Sequence, residues 1–202
     1  MRRVVIVVLA VALLGAAAGV VVLWAQPLLT SSAAPSWYAK TVHPLEHAGV
    51  IRAAARRNHL DPALVAAVIY AESRFDEHAR SSQGAVGLMQ VLPATAGQIA
   101  HETGGVTFTS ADLQDPAINI RYGTRYLRTV LDQFGGNEVA AIAAYNAGAG
   151  AVSQWVADAG AAGHPLRVAD IPYPETRAYV HRVMHLKAAY RKAYGDRLGP
   201  AY

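Results

Sequence analysis

The sequence predicts an all-α domain, and three observations carry that prediction. From His43 onward apolar residues recur at three- and four-residue spacing, the period of one helix face. The segments so marked open on Asp, Asn or Pro and mostly close on Gly, which is how helices begin and end in sequence. Only "GGVTFTS" has strand character, and it is too short to build a sheet.

In chain order, Met1-Arg2-Arg3 is followed by an uncharged run from Val4 to Ala25. As a helix, those roughly 22 residues would span about 33 Å, enough for the hydrocarbon core of a bilayer. A cleaved signal peptide is the rival reading, but its apolar stretch normally runs only about 7–15 residues. The expectation is therefore a signal anchor over residues 1–26, with the two arginines on the cytoplasmic side and the rest of the chain outside. Secretion after cleavage is the alternative. Residues 27–42, rich in Ser, Ala and Pro, read as a linker, and residues 43–202 as a single helical domain.

Six helices are expected in that domain. "PLEHAGVIRAAARRNHL" forms an amphipathic first one. "DPALVAAVIYAESRF" has Asp61 as its cap and Pro62 at its first turn. A third starts at Pro93 and is stopped by Gly104-Gly105; a fourth opens at Asp115-Pro116 and ends at Gly135-Gly136. Asn137 caps a fifth, and a sixth runs from Pro174 to Gly195.

Composition narrows the function. With no cysteine there are neither disulfides nor thiolate metal sites, and no lipid-bearing N-terminal cysteine. The net charge of +4 suits an anionic partner. No dense Lys/Arg run with interleaved aromatics points to nucleic acid, and an anionic surface polymer outside the membrane fits better. His181 and His185 have metal-ligand spacing, but Arg182 stands where a zinc protease would carry glutamate, so no metal is expected. Nothing in the sequence demands more than a monomer.

One residue breaks the pattern. At 100° per residue, Leu64, Val65, Val68, Ile69 and Phe75 form a stripe, and Glu72 falls near its middle. The opposite side, with Ala63, Ala66, Ala67, Tyr70 and Arg74, is where a solvated glutamate belongs. A desolvated carboxyl holds its proton to higher pH and can act as a general acid. By position alone, a core-edge glutamate paired with an arginine, or one sitting at the helix end, is the commoner explanation.

Three segments then narrow the choice. "AESRF…HARSSQGAVGLMQVLPATA", "AAYNAGAG" and "IPYPETRAYVHRV" together resemble the catalytic domain of soluble-lytic-transglycosylase-like murein enzymes, over about residues 45–192. The resemblance implies a goose-lysozyme-like helical fold and cleavage of peptidoglycan glycan strands without metal or cofactor. It makes Glu72 the single catalytic acid/base, with Ser81 close to it. Met89 and Gln90 belong to the loop lining the sugar groove. Tyr145 and Asn146 lie beside the catalytic centre, and Glu175 and Tyr179 close its far wall. The chain departs from the family at Glu77, where proline is usual, and at Leu92, where some members have methionine.

The implied reaction cleaves the bond between N-acetylmuramic acid and N-acetylglucosamine with the muramyl C6 hydroxyl as nucleophile. A lysozyme-type hydrolase using water, or a wall-binding module without catalysis, are the alternatives. Asp76, Glu77 and Glu175 are the carboxylates that a two-carboxyl mechanism would draw on.

Overall fold

The computed structural model describes residues 40–102 and 109–202. The expected anchor over 1–26, most of the linker and most of "GGVTFTS" lie outside them. Among the described residues no helix is long and apolar enough to cross a membrane. The compact unit runs from His43 to Tyr202, and among the described residues its regular elements are helices, with isolated bridges at Arg80–Val86 and Val86–Val91 in place of strands.

Its helices are α1 (Ala48–Arg57), α2 (Pro62–Ser73), α3 (Pro93–Glu102), α4 (Pro116–Gln133), α5 (Glu138–Ala147), α6 (Ala149–Ala161) and α7 (Pro174–Leu198). Two short 3-10 turns, Ser110–Gln114 and Val168–Asp170, precede α4 and α7. The caps read from sequence form as expected. Asp61 accepts the Ala63 N–H at 2.8 Å, Asp115 that of Ile118 at 2.9 Å, and Asn137 that of Ala140 at 3.1 Å. Each satisfies an N–H that the helix itself leaves open.

Two boundaries and one whole helix differ from the sequence expectation. The first helix begins only at Ala48, because His47 takes a left-handed conformation (φ 49°). The last runs through Gly195 to Leu198, with its break at Tyr194 (φ −134°, ψ 15°). Between Gly148 and Pro174 no helix was expected, yet α6 forms there. Its buried Val152, Trp155 and Ala159 do follow helical spacing, but alanine and glycine dominate the segment and dilute the contrast.

The core helix is α2, and it packs along α7 over most of its length. Every residue from Pro62 to Ile69 is buried, and Ala63, Ala66 and Ala67 are as inaccessible as Leu64 and Val65. The two-faced helix read from sequence is thus corrected. Alanine is small enough to sit in a close helix contact, so the side expected to be wet is packed as well. Glu72 sits where this helix emerges from the core. Behind it, Tyr190 and Tyr194 of α7 hold the chain entering the domain, donating from their hydroxyls to Pro44 O and His43 O at 3.1 Å each.

Candidate active site

The sequence turns abruptly after Glu72. Arg74 and Phe75 are both left-handed (φ 55° and 68°), which ends α2 and reverses the chain. Ser73 locks this corner. Its hydroxyl donates within reach of Ile69 O and Leu88 O (2.8 Å to the latter) and accepts the Phe75 N–H at 3.1 Å. The end of α2 is thereby joined to the loop of residues 79–91.

A buried asparagine pins that loop from the other side. Asn119 of α4 accepts the Met89 N–H and donates to Val86 O and Leu113 O, each at 2.8 Å. Gly87 is needed twice over. Its φ is 73°, and a Cβ there would stand 2.6 Å from Leu113 O and closer still to the Asn119 amide. Gly123 likewise leaves room for the Met89 side chain, whose sulfur would be 2.5 Å from a Cβ. Neither Ser73 nor Asn119 was singled out from sequence. A lone asparagine on the apolar face of "AINIRYG" was the available signal for the second.

Glu72 itself is half-buried. The Tyr179 hydroxyl donates to its Oε1 at 2.5 Å. Burial pushes the Glu72 carboxyl above its usual range, against the opposing effects of that hydrogen bond and of the Arg182 guanidinium. Arg182 also lies over the Tyr179 ring, 5.5 Å from its centroid. Tyr179 is held well above the ordinary phenol range by its own burial and then by the Glu72 charge, so it stays a donor. Sequence considered Arg182 only as a break in a zinc motif; its charge instead acts on the acid.

A groove of about 270 Å³ is lined by Gln90, Leu92, Thr95, Tyr126, Tyr145 and Asn146 among others, none of them charged; Glu72 does not line it but acts electrostatically on Tyr145, which does. Tyr145 connects groove and acid. Its hydroxyl donates to Met89 O at 2.8 Å, and burial followed by the Glu72 charge holds its proton on. Its ring packs on Tyr126 of α4, with centroids 5.4 Å apart. Tyr126 was not anticipated. Asn146 is exposed, and its Oδ1 accepts from the buried Thr176 hydroxyl at 2.9 Å. That bond fixes the amide with its Nδ2 donors turned to other partners. Gln90, at φ 47°, spends its Nε2 on Ala79 O and Gly87 O, which leaves its carbonyl oxygen as an acceptor.

Three expected site residues are placed differently. Met89 is fully buried beneath the groove, so its side chain supports the loop rather than meeting a ligand. Ser81 is exposed and its hydroxyl accepts from Gln83 N and Ala85 N (3.2 and 3.0 Å); the hydroxyl on Glu72 belongs to Tyr179. Glu175 is exposed in the first turn of α7, with no bond to Glu72. There its charge complements the helix N-terminus.

The other carboxylates point elsewhere too. Asp76 caps the His78 N–H at 2.9 Å. Glu77 lies 3.1 Å from Nε2 of His47, near enough for an ion pair though not aligned as a hydrogen bond. The residue that departs from the family's usual proline thus ties the loop to the start of α1. His181 and His185 are both exposed, and among the described residues no three His, Cys, Asp or Glu side chains converge on a metal position.

A helical domain of lysozyme-like architecture, with one desolvated carboxyl at the end of its core helix and an uncharged polar groove beside it, is the class that fold and site define. A family model described as the transglycosylase SLT domain matches residues 49–166, more than half of the chain, and the chain belongs to that family. It is 40% identical over 133 residues to the soluble lytic murein transglycosylase of Escherichia coli (strain K12), covering 65% of this chain and 21% of that one. The crystal structure of the 70-kDa soluble lytic transglycosylase from Escherichia coli superposes with a TM-score of 0.71 at 32% identity, over 80% of this chain and 26% of that one. An inactive glutamate-to-glutamine mutant of the lytic transglycosylase Slt from Pseudomonas aeruginosa gives 0.69 at 33% identity, over 80% and 26%. The chain thus spans between a fifth and roughly a quarter of the length of these proteins.

Proposed function

We propose that residues 43–202 form a peptidoglycan lytic transglycosylase domain with Glu72 as its single acid/base. The observation that carries the reading is the environment of Glu72: a carboxyl raised by burial, held at Oε1 by a phenol, with no second carboxylate bonded nearby. Such a group can be protonated at the start of a reaction and ionised in the middle of it.

In the proposed cycle Glu72 gives its proton to the oxygen linking N-acetylmuramic acid to N-acetylglucosamine, and that C–O bond breaks. Positive charge develops at the muramyl C1. The Glu72 carboxylate, steadied by Tyr179 and Arg182, then takes the proton from the C6 hydroxyl of the same sugar. Its oxygen bonds to C1 and closes a 1,6-anhydro ring. Water is not consumed and the glutamic acid is regenerated. A tethered hydroxyl replaces water at an effective concentration of about 10⁵ M or more. The Asn146 amide and the Gln90 carbonyl supply a donor and an acceptor for the N-acetyl groups, and the groove's lack of charge suits a neutral sugar backbone. That a related enzyme was inactivated by replacing a glutamate with glutamine supports the choice of residue type.

Digestion of purified murein by wild type and Glu72→Gln tests the acid. Full activity in the variant would remove Glu72 from the chemistry. Mass spectrometry of the wild-type products tests the nucleophile: anhydromuramyl ends are expected, and reducing ends, heavier by one water, would assign a lysozyme-type hydrolase instead. The sequence adds that residues 1–26 anchor the domain outside the cytoplasmic membrane through the 27–42 linker. Recovery of the full-length chain in the membrane fraction, lost on deleting residues 1–26, is the expected result.

A further inference from the structure

On the face formed by α1 and α4, away from the groove, two adjoining hollows of about 220 and 410 Å³ share Arg57 as a common wall. Arg121 lines the first, and Arg125 and Arg128 the second. These three fall at i, i+4 and i+7 on α4, hence on one side of it, over about 10 Å of helix. Arg57 reaches toward them from the end of α1.

Only one carboxylate, Asp132, enters this furrow, and Arg128 already binds it while also donating to His59 O at 3.3 Å. Arg121 has the Tyr122 ring beneath it, 5.3 Å to the centroid, and no carboxylate partner. No ion pair engages Arg57 or Arg125 among the described residues. Like charges four apart on a helix work against its stability. Three guanidinium groups without an ion pair among the described residues, Arg125 feeling Asp132 only at longer range, make along one concave track a site for repeated negative charge, and the planar fork of arginine matches phosphate oxygens in pairs.

We propose that this furrow binds an extended polyanion, a chain of repeated phosphate groups, separately from the groove at Glu72. The concavity suits a strand better than a flat bilayer. The apolar residues of the first hollow are mostly small, Ala53, Ala54 and Ala117 with Val50 and Ile118, and include none of the Trp, Phe or Leu that an interfacial helix offers. The one ring in the lining of the two hollows is the His59 imidazole, with no Phe, Tyr or Trp beside it, so no run of rings is offered for successive nucleic-acid bases to stack on. A domain held this way would be retained on an anionic polymer while its neutral groove works on another.

The test is fluorescence anisotropy of labelled long-chain inorganic polyphosphate with the full chain, titrated between about 50 and 300 mM salt. Binding is expected, weakened about tenfold or more in the double variant Arg121→Gln, Arg125→Gln. The slope of log affinity against log salt should be shallower by about 1.4 in that variant, roughly 0.7 for each phosphate left without its arginine. Arg128 is left in place because it braces His59. A control removing the same charge elsewhere, Lys192→Gln with Arg197→Gln, should bind as wild type, and murein digestion should be unchanged in both. Equal weakening by the two pairs would overturn the proposal, since net charge alone would then explain it. So would binding of inorganic phosphate as tight per phosphate as the chain's, or arginine-dependent binding of phosphatidylglycerol vesicles with none of polyphosphate.

Discussion

Helix α4 borders two recesses that use opposite physics. Tyr126 lines the groove beside Glu72, and Arg125, its neighbour in sequence, lines the furrow. The groove contains hydroxyls, amides and rings, and the acid proposed for it is a carboxyl kept from water. The furrow contains guanidinium groups open to water, with one neutralising carboxylate. Desolvation makes a proton easy to keep and later to give up; solvated charge makes long-range, salt-sensitive attraction. One helix serves both because its 100° step turns successive residues to different faces.

That contrast can be attacked at five points, beginning with the most severe. Glu72→Gln should lower murein digestion by about 10²- to 10⁴-fold, the usual worth of a positioned general acid, and leave polyphosphate binding unchanged. Digestion assays and anisotropy on the same preparation check both halves.

Asn119→Leu should come next. It strands the Met89 N–H and two buried carbonyls, at about 1–3 kcal/mol for each group left without water, and disorders the loop that forms the groove floor. A large fall in melting temperature with loss of digestion is expected; a stable, active variant would show that the bonds from Ser73 and Tyr145 hold the loop without it.

Tyr179→Phe should cost about tenfold in kcat. Its hydroxyl favours the ionised carboxylate, so removing it raises the Glu72 pKa further and moves the alkaline limb of the pH–rate profile upward. A limb that moves downward would contradict the assignment of donor and acceptor.

A smaller effect concerns stability. The folded-state pKa of Glu72 lies above its unfolded value, so the native state binds the extra proton, and stability is lost as pH rises from the ordinary carboxyl range toward the raised pKa. Glu72→Gln has no such loss. It should melt above wild type near neutral pH, with the gap closing as pH falls below the ordinary carboxyl range. The least effect belongs to the furrow: Arg121→Gln with Arg125→Gln should change stability by under about 0.5 kcal/mol, as exposed substitutions do, in thermal melts at moderate salt.

Much of this was legible in the chain itself. Asp61, Asp115 and Asn137 cap helices because each acts on N–H groups two or three residues away, a range that sequence displays directly. Glu72 stood out because a helical repeat reveals a misplaced carboxylate. Met89 and Ser81 show where such reading stops. Both lie in the loop that carries the site, but whether a loop side chain faces the groove, the core or solvent depends on what packs against it. Glycine at position 123 takes Met89 inward, and the turn at Ser81–Ala85 keeps the serine hydroxyl for its own backbone.

By itself, then, the sequence determined the helical class, most helix starts, the unusual place of Glu72 in an apolar stripe and the sign of the net charge, all of which rest on composition or on neighbours within about one turn. The tertiary structure decided that α2 is buried on every side, that the phenol on Glu72 comes from Tyr179, 107 residues away, and that the α4 arginines face Arg57 across a furrow. Backbone hydrogen bonding is settled locally, whereas desolvation and the gathering of charge depend on which distant segments come to lie over a group.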